Sequence, residues 1–225
     1  MPAAVTVIDR SAIEAASAQN TQDILRGVPG VTAHDAPGSI DMHWRGFSRA
    51  SINQLFNGIN LQYSIAMRPV DSWMYDRVEA IGGASSFLYG AGGVGGTVNY
   101  VTKKPLFDRS EREAFVSAGS WKTVSAGVGL RGPISDTLAY SAYFDAGRSS
   151  GVRTDSAYSR QNTSLALALR PSGRFQATLM YDGGHNKDAT YFGTPTREGR
   201  VPDEWSRASF NVADARVRYI DQALR

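Results

Sequence analysis

In KTVSAGVGLR (122–131), Val124, Ala126, Val128 and Leu130 alternate with Ser125, Gly127, Gly129 and Arg131, so an extended chain there has one apolar face and one small or polar face. The same period of two runs through TLAYSAYFDA (137–146), with Leu138, Tyr140, Ala142 and Phe144 set against Ser141, Tyr143 and Asp145. It returns in QNTSLALALR (161–170) through Thr163, Leu165, Leu167 and Leu169, and in RFQATLMYDG (174–183) through Phe175, Ala177, Leu179 and Tyr181. A weaker copy, EAFVSAGSW, occupies 113–121, and no helical pattern interrupts these five segments. A segment of about ten residues tilted by about 45° rises roughly 23 Å, the height of a transmembrane β-strand, whereas soluble strands average about half that length.

The connections differ in kind. GPIS (132–135) and PSG (171–173) are tight, while GRSSGVRTDSAYSR (147–160) is long and polar. Short turns on one rim and long loops on the other is the outer-membrane pattern, from which the short Ser120-Trp121-Lys122 link departs. Trp121, Tyr140, Phe144, Phe175 and Tyr181 suit interfacial girdles, and they equally suit the core of a soluble β-sandwich. Periodicity alone leaves both a membrane barrel and a soluble antiparallel sheet open.

The 225 residues are 42% hydrophobic, 20% charged and 10% aromatic, enough apolar material for one large domain or two modest ones, which excludes a disordered polymer. Lys plus Arg at 24 against Asp plus Glu at 21 gives +3, so nucleic-acid binding draws no support from bulk charge. Without cysteine there is no disulfide scaffold and no thiolate metal site, and an oxidising compartment is compatible with that. No run approaches the roughly 18 to 20 apolar residues of a membrane helix. The residues after Met1, PAAVTVIDR, lack the basic start, apolar stretch and cleavage site of a secretory signal, so the expectation is either a cytoplasmic protein or an internal piece of something longer.

The first half reads as short mixed fragments. AVTVID (4–9) is a strand; Ser11 with Glu14 forms a capping box opening a short helix to about Ser17. A second helix is expected over Thr21 to Arg26, capped by Asn20 or Thr21 and ended by Gly27-Val28-Pro29-Gly30. Extended structure resumes at Val31 and Thr32. Further strands are expected at Met42 to Phe47, at Gln54 to Phe56 before an Asn57-Gly58 turn, and at Arg77 to Ile81, with a helical stretch near Ser72 to Met74. Together these predict a small, loop-rich α+β domain.

Most candidate chemistry fails on context. GAGGVG (90–95) satisfies GxGxxG and Asp108 follows, yet the β-branched run TVNYVTKKP comes next where a nucleotide site needs a helix; the glycines read as positions of close backbone packing. His34, His43 and His185 have no metal-ligand spacing, and there is neither a GxSxG elbow nor a cysteine nucleophile. The sequon Asn162-Thr163-Ser164 falls inside an expected strand. WRGFS (44–48) sets a cation and two aromatics around a glycine, and NGINLQY (57–63) makes a turn that presents Gln62 and Tyr63. Such groups suit an anionic, oxygen-rich ligand, and the competing reading buries Arg45 in an ion pair.

Several of these motifs resemble the plug of TonB-dependent outer-membrane receptors, of the ferric-siderophore type. The match runs through TVIDRSAIE (6–14), TQDILRGVPGV (21–31), RGF (45–47) and NGI (57–59), and peaks at DRVEAIGGASSFLYGAGGVGGTVNYVTKKP (76–105). The resemblance implies an α+β plug domain over 1–106 followed by antiparallel β-strands of an incomplete transmembrane β-barrel over 107–225, five of about 22 strands. It also implies a mechanism without covalent chemistry, so the chain is not expected to be an enzyme. A ferric siderophore binds the loops and the plug apex, and TonB with its inner-membrane energising complex then uses the proton-motive force to rearrange the plug. The cell outer membrane, its lipid and the chelate are the implied surroundings, with no nucleic acid and no bound cofactor or resident metal.

Carried over by motif, Arg45, Leu61, Gln62 and Tyr63 are the ligand-facing candidates, and Gly90, Gly92, Gly93, Gly95 and Gly96 are structural glycines that let plug strands pack against the barrel wall. Ile81, Gly82, Gly83 and Ala84 stand where relatives commonly have a basic residue, Gly and Pro. The TonB box of such receptors precedes the first plug strand, where this sequence starts. The branch with VNYVTKKP-like blocks favours hydroxamate or pyoverdine-like chelates over cobalamin or glycans. The alternative is a soluble plug-like module that binds a ligand or TonB without transport.

Overall fold

The computed structural model describes residues 4–36, 39–60, 71–83, 93–189, 194–210 and 216–224. Its contacts divide the chain into two compact units, one of residues 1–35 and 39–103, the other of 104–225 with 36–38.

The first unit is built on a five-stranded sheet. Strand β1 (Ala4–Asp9) leads into helix α1 (Arg10–Ala15), and α2 (Thr21–Leu25) follows. Asp9, rather than Ser11, caps α1: its carboxylate accepts from the Ala12 amide at 2.8 Å and from the Ser11 hydroxyl at 2.6 Å. Those two bonds, the Ser11 hydroxyl foremost, hold the Asp9 carboxyl below its ordinary pKa. The expected Ser11–Glu14 box is replaced by a 2.7 Å pair of Glu14 with Arg10, one turn apart. Asn20 caps α2 as expected, accepting from the amides of Gln22 and Asp23.

Strands β2 (Val31–Ala36), β3 (Ser39–Trp44) and β4 (Phe47–Ser48) form a small separate sheet. The main sheet takes β5 (Ile52–Phe56), β6 (Ile59–Asn60), β7 (Tyr75–Gly82) and β8 (Gly96–Thr102), in the order β1-β7-β8-β5-β6. Only the β5–β8 pairing in it is parallel. Every residue of β8 is buried, as a strand covered on both faces must be. The core joins Ile13, Leu25 and Val28 from the helical region to Ile52, Leu55, Val78 and Val98. The Tyr75 ring lies tilted at 5.5 Å from that of Tyr100 and meets Phe56 edge to face at 5.8 Å.

The second unit is one antiparallel meander, β9 (Glu111–Gly119), β10 (Thr123–Pro133), β11 (Leu138–Ser149), β12 (Tyr158–Ser172), β13 (Phe175–Ala189) and β14 (Arg216–Leu224), in sequence order across the sheet. The five expected segments are its first five strands; the sixth, β14, was not expected. Strands β12 and β13 reach 15 residues each, so the loop expected over 147–160 contracts to 150–157. Residues 120–122, 150–157 and 190–215 connect strands on one rim, and 134–137 and 173–174 on the other. Trp121 and Lys122 take φ of 62° and 54°, which the tight β9–β10 turn requires.

Burial in this sheet is inverted relative to a water-soluble one. Leu165, Leu167 and Leu169 are 43–46% exposed, while Ser164, Ala166 and Ala168 between them are at most 5% exposed. Val124, Val128, Leu130, Phe144 and Leu179 share the exposed side. Ser125, Ser141, Asp145, Asn162, Asp182, Asn186 and Asp188 are buried on the other. This covered face is wired across strands: Arg131 pairs with Glu111, Asn162 donates to Asp145 at 2.7 Å, and Arg160 meets Asp188 at 3.0 Å.

Burial pushes the Tyr100 hydroxyl of the first unit above its ordinary pKa of 10.0. A raised folded-state value means stability complete below about pH 10 and falling as pH rises past it. Denaturant unfolding of the first unit between pH 9 and 11 is therefore expected to show this loss in the wild type and much less of it in Tyr100→Phe.

Candidate functional site

Two tight hairpin turns carry the residues that sequence motifs single out. In the first, Trp44 pairs with Phe47 across Arg45 and Gly46, whose φ of 50° and 86° make a two-residue turn of the type that matches strand twist. A non-glycine residue at positive φ costs of order 1 kcal/mol. Arg45 is held there by its amide, which donates to the Gly30 carbonyl at 3.1 Å. The Trp44 indole N–H donates to Pro29 O at 3.1 Å, and its ring is almost fully buried.

Glycines make that burial possible. A Cβ on Gly96, at φ 150°, would lie 2.6 Å from the Trp44 ring and 2.8 Å from the Ile81 carbonyl. One on Gly95 would lie 2.6 Å from Phe47 Cβ, and the Gly95 amide donates to Ser51 O at 2.8 Å. The two residues flanking Arg45 in the turn are thus the two that Gly95 and Gly96 accommodate. The structure places these glycines against the WRGF hairpin of their own unit, a neighbour the sequence did not suggest. Gly93 is buried, and Gly90 and Gly92 lie outside the described residues.

The Arg45 side chain is exposed and, among the described residues, makes no ion pair. The competing reading of a buried, paired Arg45 is thereby set aside. A guanidinium in this position offers a planar array of donors to an anionic ligand.

In the second turn, Asn57 and Gly58 have φ of 53° and 83° and join β5 to β6. Asn57 Nδ2 donates to Thr102 Oγ1 at 2.9 Å, and the Thr102 amide donates to Asn57 Oδ1 at 3.0 Å. The Gly58 amide donates to Asn99 Oδ1 at 2.9 Å, and Asn99 Nδ2 donates to Glu79, itself paired with Arg77 at 2.7 Å. Asn99 and Thr102 of the VNYVT run therefore clamp the NGI turn onto β8, a role missed from sequence, although both stretches were visible as motifs. Leu61, Gln62 and Tyr63, which continue from this turn, lie outside the described residues.

No nucleotide site forms around the glycines, because Gly96–Thr102 is a strand and no helix opens after them. His43 is exposed, His185 accepts from Arg218 Nε at 3.1 Å, and Asn162 of the sequon is buried in β12.

The family model described as TonB-dependent Receptor Plug Domain matches residues 1–97. The ferripyoverdine receptor of Pseudomonas aeruginosa is 33% identical over 144 residues, which are 60% of this chain and 17% of that receptor. The ferrioxamine B receptor of Salmonella typhimurium is 27% identical over 222 residues, 89% of this chain and 31% of the relative. The chain thus spans between a sixth and a third of the length of these relatives. In fold it is similar to the crystal structure of the P. aeruginosa ferripyoverdine receptor bound to ferripyoverdine, with a TM-score of 0.82 and 23% identity, covering 100% of this chain and 31% of that one. The chain accordingly resembles TonB-dependent receptors of the ferric-siderophore type, with a plug followed by part of a barrel sheet.

Substituting Gly96→Ala is expected to destabilise the first unit by about 2–3 kcal/mol in urea unfolding, because backbone strain adds to overlap with Trp44. Gly46→Ala, whose added Cβ meets nothing within 4 Å, retains only the cost of its φ, about 1 kcal/mol.

Proposed function

We propose that this chain is the plug, residues 1–106, and the first barrel strands, within 107–225, of an outer-membrane receptor. That receptor binds a ferric siderophore at its outer side and imports it with energy delivered through TonB. The observation that carries this reading is the joining, in one polypeptide, of a plug-type unit to a sheet whose apolar side chains face outward and whose polar ones are covered. Such a sheet fits a barrel wall, with lipid against Leu165, Leu167 and Leu169 and a polar interior beside Ser164, Asn162 and Asp145.

Within that reading the ferric chelate is cargo, and no bond in it is made or broken. Arg45, Leu61, Gln62 and Tyr63 form the plug's contribution to ligand recognition. The exposed guanidinium supplies charge-assisted hydrogen bonds to the chelate's oxygens, and the residues after the NGI turn supply amide and aromatic contacts. The clamps at Gly95/Gly96 and at Asn99/Thr102 hold both turns in shape before ligand arrives, which limits the ordering cost of binding. The names of the relatives, receptors for ferripyoverdine and ferrioxamine B, favour peptidic or hydroxamate chelates. TonB and its inner-membrane complex are the proposed energising partners.

Two experiments test the reading. Leu167→Lys is expected to lower the stability of the bilayer-inserted protein by about 2–4 kcal/mol, since a charge would enter hydrocarbon; a soluble module would tolerate the same change at a position 46% exposed. Titration of ferric hydroxamate and pyoverdine-like chelates, followed by tryptophan quenching, is expected to show binding at least about tenfold weaker in Arg45→Ala, from loss of a charged hydrogen-bond donor. Equal affinity in the two proteins would remove Arg45 from the site.

A further inference from the structure

Asn57 is the only asparagine of the sequence that is followed by glycine. That pair is the least durable an asparagine can form, because a glycine nitrogen, with no Cβ beside it, attacks the preceding carboxamide with the least steric hindrance. Here the pair occupies the centre of the β5–β6 turn, where Asn57 is half-buried and Gly58, Ile59 and Asn60 are exposed. Water therefore reaches the pair, and its survival depends on what holds nucleophile and electrophile apart.

Residues of a single strand do so. The Gly58 amide, which would be the nucleophile, donates to Asn99 Oδ1 at 2.9 Å, so its hydrogen is already engaged. The Asn57 carboxamide, which would be the electrophile, is fixed at both ends by Thr102. Its Nδ2 donates to Thr102 Oγ1 at 2.9 Å, and its Oδ1 accepts from the Thr102 amide at 3.0 Å. The Asn57 amide donates to the Tyr100 carbonyl at 2.9 Å. Ring closure needs the carboxamide carbon to swing over the Gly58 nitrogen, which breaks both bonds to Thr102, and it needs that nitrogen stripped of its proton, which ends the bond to Asn99. Asn99, Tyr100 and Thr102 all belong to β8, buried along its whole length and paired with β5 on one side and β7 on the other. Such a strand opens rarely, so the guard outlasts local fluctuations of the exposed turn.

We propose that Asn57–Gly58 is a latent deamidation site kept silent by the side chains of Asn99 and Thr102. In the reaction the Gly58 nitrogen gives up its proton to solvent base and bonds to Asn57 Cγ. The Cγ–Nδ2 bond then breaks, and ammonia leaves with a proton taken from water. The cyclic imide so formed takes up one water: opening at Cγ gives aspartate, and opening at the backbone carbonyl gives isoaspartate. Isoaspartate inserts one extra carbon into the main chain between Phe56 and Ile59, which face each other across the turn, and so displaces the chain that continues to Leu61, Gln62 and Tyr63. The cost of that displacement to ligand recognition rests on the receptor reading above; the guard itself does not.

The test follows the purified full chain in mild non-ionic detergent by peptide mass spectrometry at mildly alkaline pH. Asn57 of the folded wild type is expected to deamidate at least about a hundredfold more slowly than in the same chain unfolded in urea. Thr102→Val, which keeps the side-chain shape and removes the hydroxyl, is expected to raise the folded-state rate by at least about fivefold, and Asn99→Ala to raise it as well. Thr102→Ser and the core variant Ile13→Val, which weakens the first unit from α1 without touching the turn, are expected to keep the wild-type rate. All variants are expected to match the wild type in urea, and where Asn99→Ala does not fold, Thr102→Val decides. A folded wild-type rate equal to that in urea, an unchanged rate in Thr102→Val, or an equal rise in Thr102→Ser or Ile13→Val would overturn the guard. None of these rates involves the chelate, so such a failure leaves the receptor reading untouched.

Discussion

An apolar row that faces outward is stable only where the surroundings are apolar, and the sheet of the second unit is organised around that constraint. Leu165, Leu167 and Leu169 on β12, with Val128, Leu130, Phe144 and Leu179 on its neighbours, would expose contiguous hydrocarbon to water, which soluble monomers avoid. The covered face carries the opposite chemistry, and part of it is bonded across strands, as Asn162 is to Asp145 and Arg160 to Asp188. Strand length follows from the same requirement. An apolar layer tolerates no unsatisfied amide, and β12 is hydrogen-bonded to β11 and β13 along Tyr158–Leu169. Within the described residues β9 and β14 have unpaired outer edges, which are stable in lipid only when other backbone pairs with them.

The first unit solves a different problem, that of holding exposed turns rigid on a small core. A turn with φ above zero at two consecutive positions is costly unless tertiary contacts over-determine it. Trp44 and Phe47 supply those contacts on either side of Arg45, and they fit only because Gly95 and Gly96 withhold their side chains. Asn99 and Thr102 do the same for Asn57 and Gly58 with hydrogen bonds instead of ring packing. Strand β8 thus begins under one turn and ends under the other. Its burial on both faces lets it transmit the position of each. Turns supported in this way present their outward groups with little entropy left to lose, which is what a recognition surface needs.

Sequence made the period of two legible because hydrophobic residues recur cleanly at Val124 to Leu130 and Leu165 to Leu169. Strand β14 was not legible because RVRYIDQAL puts Arg218, Ile220, Gln222 and Leu224 on one parity, so neither face is uniformly apolar. The Ser11–Glu14 pattern has the spacing of a capping box, yet Asp9 lies two residues earlier and its carboxylate takes the Ala12 amide, so the helix starts there. The β-branched run TVNYVTKKP after GAGGVG foretold that the glycines would not open a helix. Which aromatic rings fill the space above Gly95 and Gly96 depended on a contact across roughly fifty residues of sequence, which no local pattern encodes.

The two faces of the barrel sheet also treat their charges differently, and the contrast bears on what surrounds the chain. On the covered side two of the sheet's basic residues have an acid within reach, Arg131 with Glu111 and Arg160 with Asp188, while Arg170 lies over the Phe107 ring. On the outward face Arg148, Lys187 and Arg218 stand in one row with no acid paired to them among the described residues. Water screens an exposed cation cheaply, so each of these would be unremarkable alone. Placed in register on β11, β13 and β14, with Lys187 directly opposite Arg218, they raise one another's cost wherever water is excluded. A covered face draws its counter-charges from the same polypeptide; an outward row without them depends on its surroundings for screening.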